Sequence, residues 1–280
     1  MSLYIDKTAL NLTLKPEGRG CMEIDASGLA HRELSDTIRN CVLSRAKKIV
    51  VKNVYGQRYI GTRLSSYSYP SPQNYSCSSR NSNGKLKMEI FGIPGNDLGA
   101  FLDGHQIVVH GNAQDGVGNT MNDGEIVVEG KAGDIAGMSM RGGKIFIRDD
   151  VGYRAAIHMK GNHDKNPVLV VGGTAQDFLG EYMAGGIVIL LGLNLGEHRA
   201  NFIGSGMHGG VIYVRGGVKK HQLGKEVGLF ELNDEDKKEL KNHLNEYSNK
   251  FHTPLKTKIG EEFVKLVPHS HRPYGQLFAR

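Results

Sequence analysis

The chain of 280 residues has no tryptophan, three cysteines and eight prolines. Cys21, Cys41 and Cys77 are odd in number and widely spaced. That excludes a disulfide framework and a CxxC metal clamp, and it fits a reducing cytoplasm. Long apolar runs are missing too. The longest, GGIVILLGLNLG, is far too short to span a bilayer. The opening MSLYIDKTAL has no basic-then-apolar signal. A soluble, cytoplasmic protein with no membrane contact is the expectation. The net charge of +6 is mild, and the doublets Lys47-Lys48, Lys219-Lys220 and Lys237-Lys238 are far apart. Without a basic stripe interleaved with aromatics, a nucleic-acid partner is not expected.

Glycine is abundant, at 38 residues, or about twice ordinary usage. With so few prolines this indicates many tight turns, not a disordered chain. The turns recur. Apolar four-residue runs begin at Met88, Ile107, Ile126, Ile145, Leu169, Val188 and Ile212, at intervals of 19, 19, 19, 24, 19 and 24. The unit is therefore 19 residues with two five-residue insertions, one in KGNHDKNP and one in LGLNLGEHRANF. An earlier unit starts at Ile49, followed by the Ser-rich surplus of residues 65–84. A methionine column holds the same phase through Met121, Met140, Met159, Met183 and Met207. So do glycines: Gly99, Gly118, Gly137, Gly180 and Gly204 in one column, with Gly92, Gly95, Gly130 and Gly133 at the corners before it.

Positions one and three of each run are apolar, which is the period-two signature of a strand. A four-residue strand every 19 residues leaves no room for a crossover helix. The expected fold is all-β: a right-handed single-stranded parallel β-helix of about seven to eight coils, with helices flanking both ends. Leucine-rich and hexapeptide repeats do not fit the period. The expected organisation is a cap over 1–48 with one helix, repeats over 49–217, and a C-terminal helix with an irregular tail over 218–280. Leu34, Ile38, Cys41 and Val42 mark the first helix. Asn233 is a candidate N-cap for the second, whose apolar face is Leu240, Leu244, Tyr247 and Phe251.

Candidate chemistry is thin. GVGNTM lacks the third glycine of a dinucleotide fingerprint, and no GxxxxGK[ST] occurs. Asp115 and Asp134 share one phase on adjacent units, a low-probability acidic pair for calcium or a shared proton. Turn capping competes with that reading. The twelve histidines do not converge, and no nucleophile–base set assembles. No catalytic, cofactor or metal residues are therefore assigned, and whether the chain has any activity of its own stays open. The second position of each run forms an apolar column, Val108, Val127, Phe146, Val170, Ile189 and Tyr213. Either a partner or the chain's own tail would cover it.

The blocks GNDLGAFLDG, IVVHGNAQDGVGNTMNDGEIVVEG, GGTAQDFLGEYMAGGIVILLG and GSGMHGGVIYVRG, with the ending LVPHSHRPYG, resemble the C-terminal domain of the glutamate synthase large subunit, the GXGXG family. The resemblance spans roughly residues 24–275. It implies a stand-alone, non-catalytic subunit of a multi-chain glutamate synthase, or of a related glutamine-amidotransferase-coupled oxidoreductase in glutamate biosynthesis. Its implied partners are a glutamine amidotransferase subunit and a flavin-dependent synthase subunit, with flavin and iron–sulfur cluster on the partner and no cofactor on this chain. A homo-oligomer also remains open. The same glycine repeat resembles the C subunit of formylmethanofuran dehydrogenases. A polysaccharide-acting enzyme of β-helical fold, using Asp115 and Asp134, is the third alternative.

Overall fold

The computed structural model describes residues 20–65, 85–161, 165–193, 198–255 and 262–271. The Ser-rich stretch beyond Ser65, Cys77 and the tail from residue 272 lie outside the described residues. Strand β1 (Cys21–Asp25) is followed by helix α1 (His31–Leu43) and strand β2 (Lys48–Tyr55). Then come β3 (Lys87–Ile93), β4 (Gln106–His110), β5 (Glu125–Val128), β6 (Lys144–Ile147), β7 (Val168–Val171), β8 (Ala184–Leu190) and β9 (Gly209–Arg215). The C-terminal part adds β10 (Val227–Phe230), helix α2 (Asp234–Phe251) and β11 (Phe263–Pro268).

Sheet register follows the repeat phase. Ile49 pairs with Met88, Met88 with Ile107, and the row continues through Ile126, Ile145, Leu169 and Val188 to Ile212. A one-residue slip would turn every apolar side chain out of the core, so the pattern fixes the register. The core row and its third-position companions, Ile90, Val109, Val128, Ile147, Val171, Leu190 and Val214, are fully buried.

The β-helix expectation requires correction. The strands form one 11-stranded sheet in the order β1-β2-β3-β4-β5-β6-β7-β8-β9-β11-β10. It is parallel from β1 to β9 and antiparallel where β11 joins β9 and β10. With its two helices, this is a mostly parallel α/β sheet fold, and no solenoid of strands on several sides is present. Each unit gives one strand only, and the rest returns through turns. Isolated bridges such as Ala113–Ala132 and Ala132–Val151 are the other β contacts between these units.

The physical reason lies in backbone handedness. In the turn of the third unit, Ile135, Gly137 and Ser139 all have positive φ, at 54°, 72° and 52°. Successive N–H groups then point to opposite neighbours. Ile135 donates forward to the Tyr153 carbonyl, at 2.8 Å, and Gly137 donates back to the Val117 carbonyl, also at 2.8 Å. A β ladder needs extended backbone, so this side of the repeat cannot become a second sheet. The ends differ as well. β1 lies in the segment expected to hold only a helical cap, and β10 and β11 enter the sheet from the C-terminal segment.

Candidate functional site

The acidic column comes first. Asp115 accepts the backbone N–H of Asp134 at 2.9 Å, and Asp134 accepts that of Tyr153 at 2.8 Å. Asp177 does the same for Asn201 at 2.8 Å. Each carboxylate thus ties its turn to the next unit. Glycine is required beneath it, because a Cβ on Gly133 or Gly152 would fall on the carboxylate oxygen of Asp115 or Asp134. The geometry brings Asp115 and Asp134 together as neighbours on one staircase. Among the described residues no group of three His, Cys, Asp or Glu side chains could hold a metal.

The glycine column performs a second service. Gly99, Gly118, Gly137, Gly180 and Gly204 all have left-handed backbone. Most face a core side chain of a following strand; a Cβ on Gly99, for example, would lie 2.6 Å from Ile126 Cδ1. Gly92, Gly95 and Gly130 instead let a carbonyl of the preceding unit approach. Met121, Met140, Met159, Met183 and Met207 are buried in the core beside them. Their ends need clearance too, since a Cβ on Gly143 would lie 2.6 Å from the Met121 methyl, and one on Gly210 equally close to that of Met183.

Helix α2 lies over the second-position column. Phe146, Val170, Ile189 and Tyr213 form one buried cluster with Leu240, Leu244 and Tyr247. Asn233 caps the helix by accepting the Asp236 N–H at 2.8 Å. Asp236 is itself buried, and it accepts bonds from Tyr213 Oη at 2.6 Å and from Lys265 Nζ at 2.7 and 2.8 Å. Burial works to raise this carboxyl, but the Lys265 and Tyr213 bonds outweigh it and hold the group below the usual carboxylate range. Burial and the neighbouring Asp236 charge push the Tyr213 phenol far up. Farther along, Tyr247 donates to the Arg148 carbonyl at 2.8 Å, and Lys250 lies 5.0 Å from the Phe146 ring centre. Val108 and Val127 continue the column and are also buried.

The histidines serve separate neighbours. His110 contacts Glu129 at 2.9 Å and stacks on Phe91, while His158 stacks on Tyr182. His105, His198 and His243 are buried, and burial depresses all three imidazoles.

Two hollows remain. One, of about 540 Å³, lies at the N-terminal ends of β3–β6 beside α2 and is rich in lysine. Lys144 is held by Glu246 at 2.7 Å, Lys250 by Glu125 at 2.7 Å and Lys165 by Asp123 at 3.1 Å. Its own carboxylates therefore satisfy most of its charge. The second, a groove of about 410 Å³, runs between α1 and the turns after β2 and β3, beside Tyr59, Arg63 and Phe101. Periodicity of the apolar runs gave no signal for it, because it lies on the turn side.

A sheet stapled unit to unit by glycine turns, with a helix sealing part of one face, is a scaffold that presents surfaces. The chain belongs to the GXGXG motif family, whose model matches residues 31–272. That is the family of the glutamate synthase C-terminal domain, which the glycine blocks resemble. The chain is also similar to an uncharacterized protein of Methanocaldococcus jannaschii, at 46% identity over 265 residues, covering 91% of this chain and 95% of the relative. Among the described residues no helix is long and apolar enough to cross a membrane.

Proposed function

We propose that the chain is a non-catalytic scaffolding subunit of a multi-chain glutamate synthase or a related amidotransferase-coupled oxidoreductase. It packs against a glutamine amidotransferase chain and a flavin-dependent synthase chain, which carry the catalytic groups, the flavin and the iron–sulfur cluster. The observation that carries this reading is the family match across residues 31–272. The relative, matched over 95% of its own length, supports a unit that stands apart from the catalytic domains. The side chains add support. Buried carboxylates and hydroxyls such as Asp236 and Tyr213 are spent on holding elements together. Such groups shape a platform more readily than a reaction centre.

Co-expression with the amidotransferase and flavin synthase chains of the same organism tests it. A co-migrating complex on size exclusion is expected, with flavin absorbance only when the synthase chain is present. Turnover of glutamine by the isolated chain, or flavin bound to it, overturns the proposal.

A further inference from the structure

In each unit the turn places two non-glycine or glycine residues with left-handed backbone on the outer surface, flanking the glycine column. The first position runs Tyr59, Asp97, Gly116, Ile135, Arg154, Phe178, Phe202, and the second starts Arg63, Phe101, Thr120, Ser139. Gly116 and, in the second column, Gly206 occupy these slots at φ of 73° and 69°. Glycine therefore fits there without the strain that an L side chain carries. Large side chains at these slots call for a compensating contact.

In the later units that contact is internal. Phe178 stacks on Phe202 at 4.9 Å and His158 on Tyr182 at 5.4 Å. Arg154 lies over Phe178 and pairs with Glu181 at 2.8 Å. In the first units it is not. Among the described residues, Tyr59 and Phe101 face no other aromatic ring, although their φ angles are 62° and 57°. They are 48% and 42% exposed, and they border the 410 Å³ groove. Arg39 of α1 and Arg63 stand in the same groove. Arg39 has no ion-pair partner among the described residues, and Arg63 lies 5.8 Å from the Phe101 ring centre. The groove's one carboxylate, Asp97, is engaged by Asn119 Nδ2 at 3.0 Å.

We infer that this groove is a docking site for a partner protein, which inserts a segment carrying a carboxylate beside an apolar or aromatic side chain. The inference rests on the scaffold reading above and deepens it. Two guanidiniums against one engaged carboxylate select an anionic group. Tyr59 and Phe101 supply the apolar walls, of the kind that dominate binding hot spots. The groove opens onto the same face as Ile135, Arg154, Phe178 and Phe202, six strand spacings away, or roughly 29 Å. That length suits a protein surface and exceeds a small ligand. The outer sheet face under α2 is not needed for this contact.

The test uses the co-expressed complex. Arg39→Glu and the double change Tyr59→Ala/Phe101→Ala are each expected to weaken assembly with one partner chain by about tenfold or more. Lys237→Glu, on the exposed side of α2, serves as the control and is expected to leave assembly unchanged. Thermal melting of each isolated variant checks the fold. A photo-crosslinking residue at position 59 is expected to capture a partner segment containing Asp or Glu. Wild-type assembly with full affinity in both groove variants overturns the inference and leaves the scaffold reading standing. A crosslink to a second copy, or to another part of the same chain, also overturns it. Failure of the wild type to assemble removes the scaffold reading, and this inference with it.

Discussion

The phenol of Tyr213 on β9 donates a 2.6 Å hydrogen bond to the carboxylate of Asp236 in the first turn of α2. The same carboxylate takes both bonds from Lys265 of β11 and closes the capping box on Asn233. Three elements far apart in sequence are thus pinned at one buried point, and the helix cannot leave the sheet without breaking all of these bonds.

Asp236→Ala should therefore destabilise the protein by about 3–5 kcal/mol, because it strands a largely buried ammonium. Tyr213→Phe should cost less, about 1–2 kcal/mol, since Lys265 still satisfies the carboxylate. The native Asp236 pKa is depressed, so its contribution is present in full above the unfolded value of about 3.9 and is lost as pH falls through the native one. Urea denaturation of wild type and Asp236→Asn across acidic pH checks this. The wild-type advantage should shrink below about pH 4.

A second pH effect comes from the buried histidines. The main cause is burial in each case. For His243 the nearby Lys144 adds to the depression and Glu246 opposes it. His105 accepts the Leu86 N–H at 3.2 Å, and His198 reaches the Arg215 carbonyl at 2.7 Å. A depressed native pKa means that the unfolded chain takes up protons first. Stability should be full above the unfolded histidine value of about 6.5 and should fall as pH drops below it. His243→Leu should flatten part of that slope, read from melting temperatures between about pH 5 and pH 7.5. An unchanged slope would mean that His243 charges without cost.

Two glycines separate conformational strain from crowding. Gly118 has φ of +68°, and a Cβ there would collide with Ile145 Cδ1. Gly28 has φ of +71° and nothing within 4 Å. Gly28→Ala should lose only the left-handed penalty, about 1–2 kcal/mol. Gly118→Ala should lose that and a further ~1–3 kcal/mol from overpacking. Equal shifts in the denaturation midpoints of the two variants would contradict the crowding seen at Gly118.

Legibility differed between the two sides of the repeat. The row from Ile49 to Ile212 was readable because each residue meets the same neighbours as its counterpart 19 or 24 residues away. The turn side was not. Glycine marks one left-handed position per unit, but Ile135, Phe178 and Tyr182 adopt the same backbone with no propensity to announce it. That missing signal led to the expectation of strands on several sides. The acidic staircase was visible as a phase, whereas its bonds to backbone N–H groups appear only with the turn geometry. The groove beside Tyr59 and Phe101 needed α1 in place before its walls existed.

The sequence by itself determined the register of the sheet and the identity of its core, because alternation and repeat length specify which side chains stack and which face is dry. Only the tertiary structure decided that one side of each unit forms sheet and that α2 lies over Phe146, Val170, Ile189 and Tyr213. Backbone handedness at non-glycine residues and the docking of a distant helix are set by surrounding atoms. A one-dimensional pattern of residue types does not contain those surroundings.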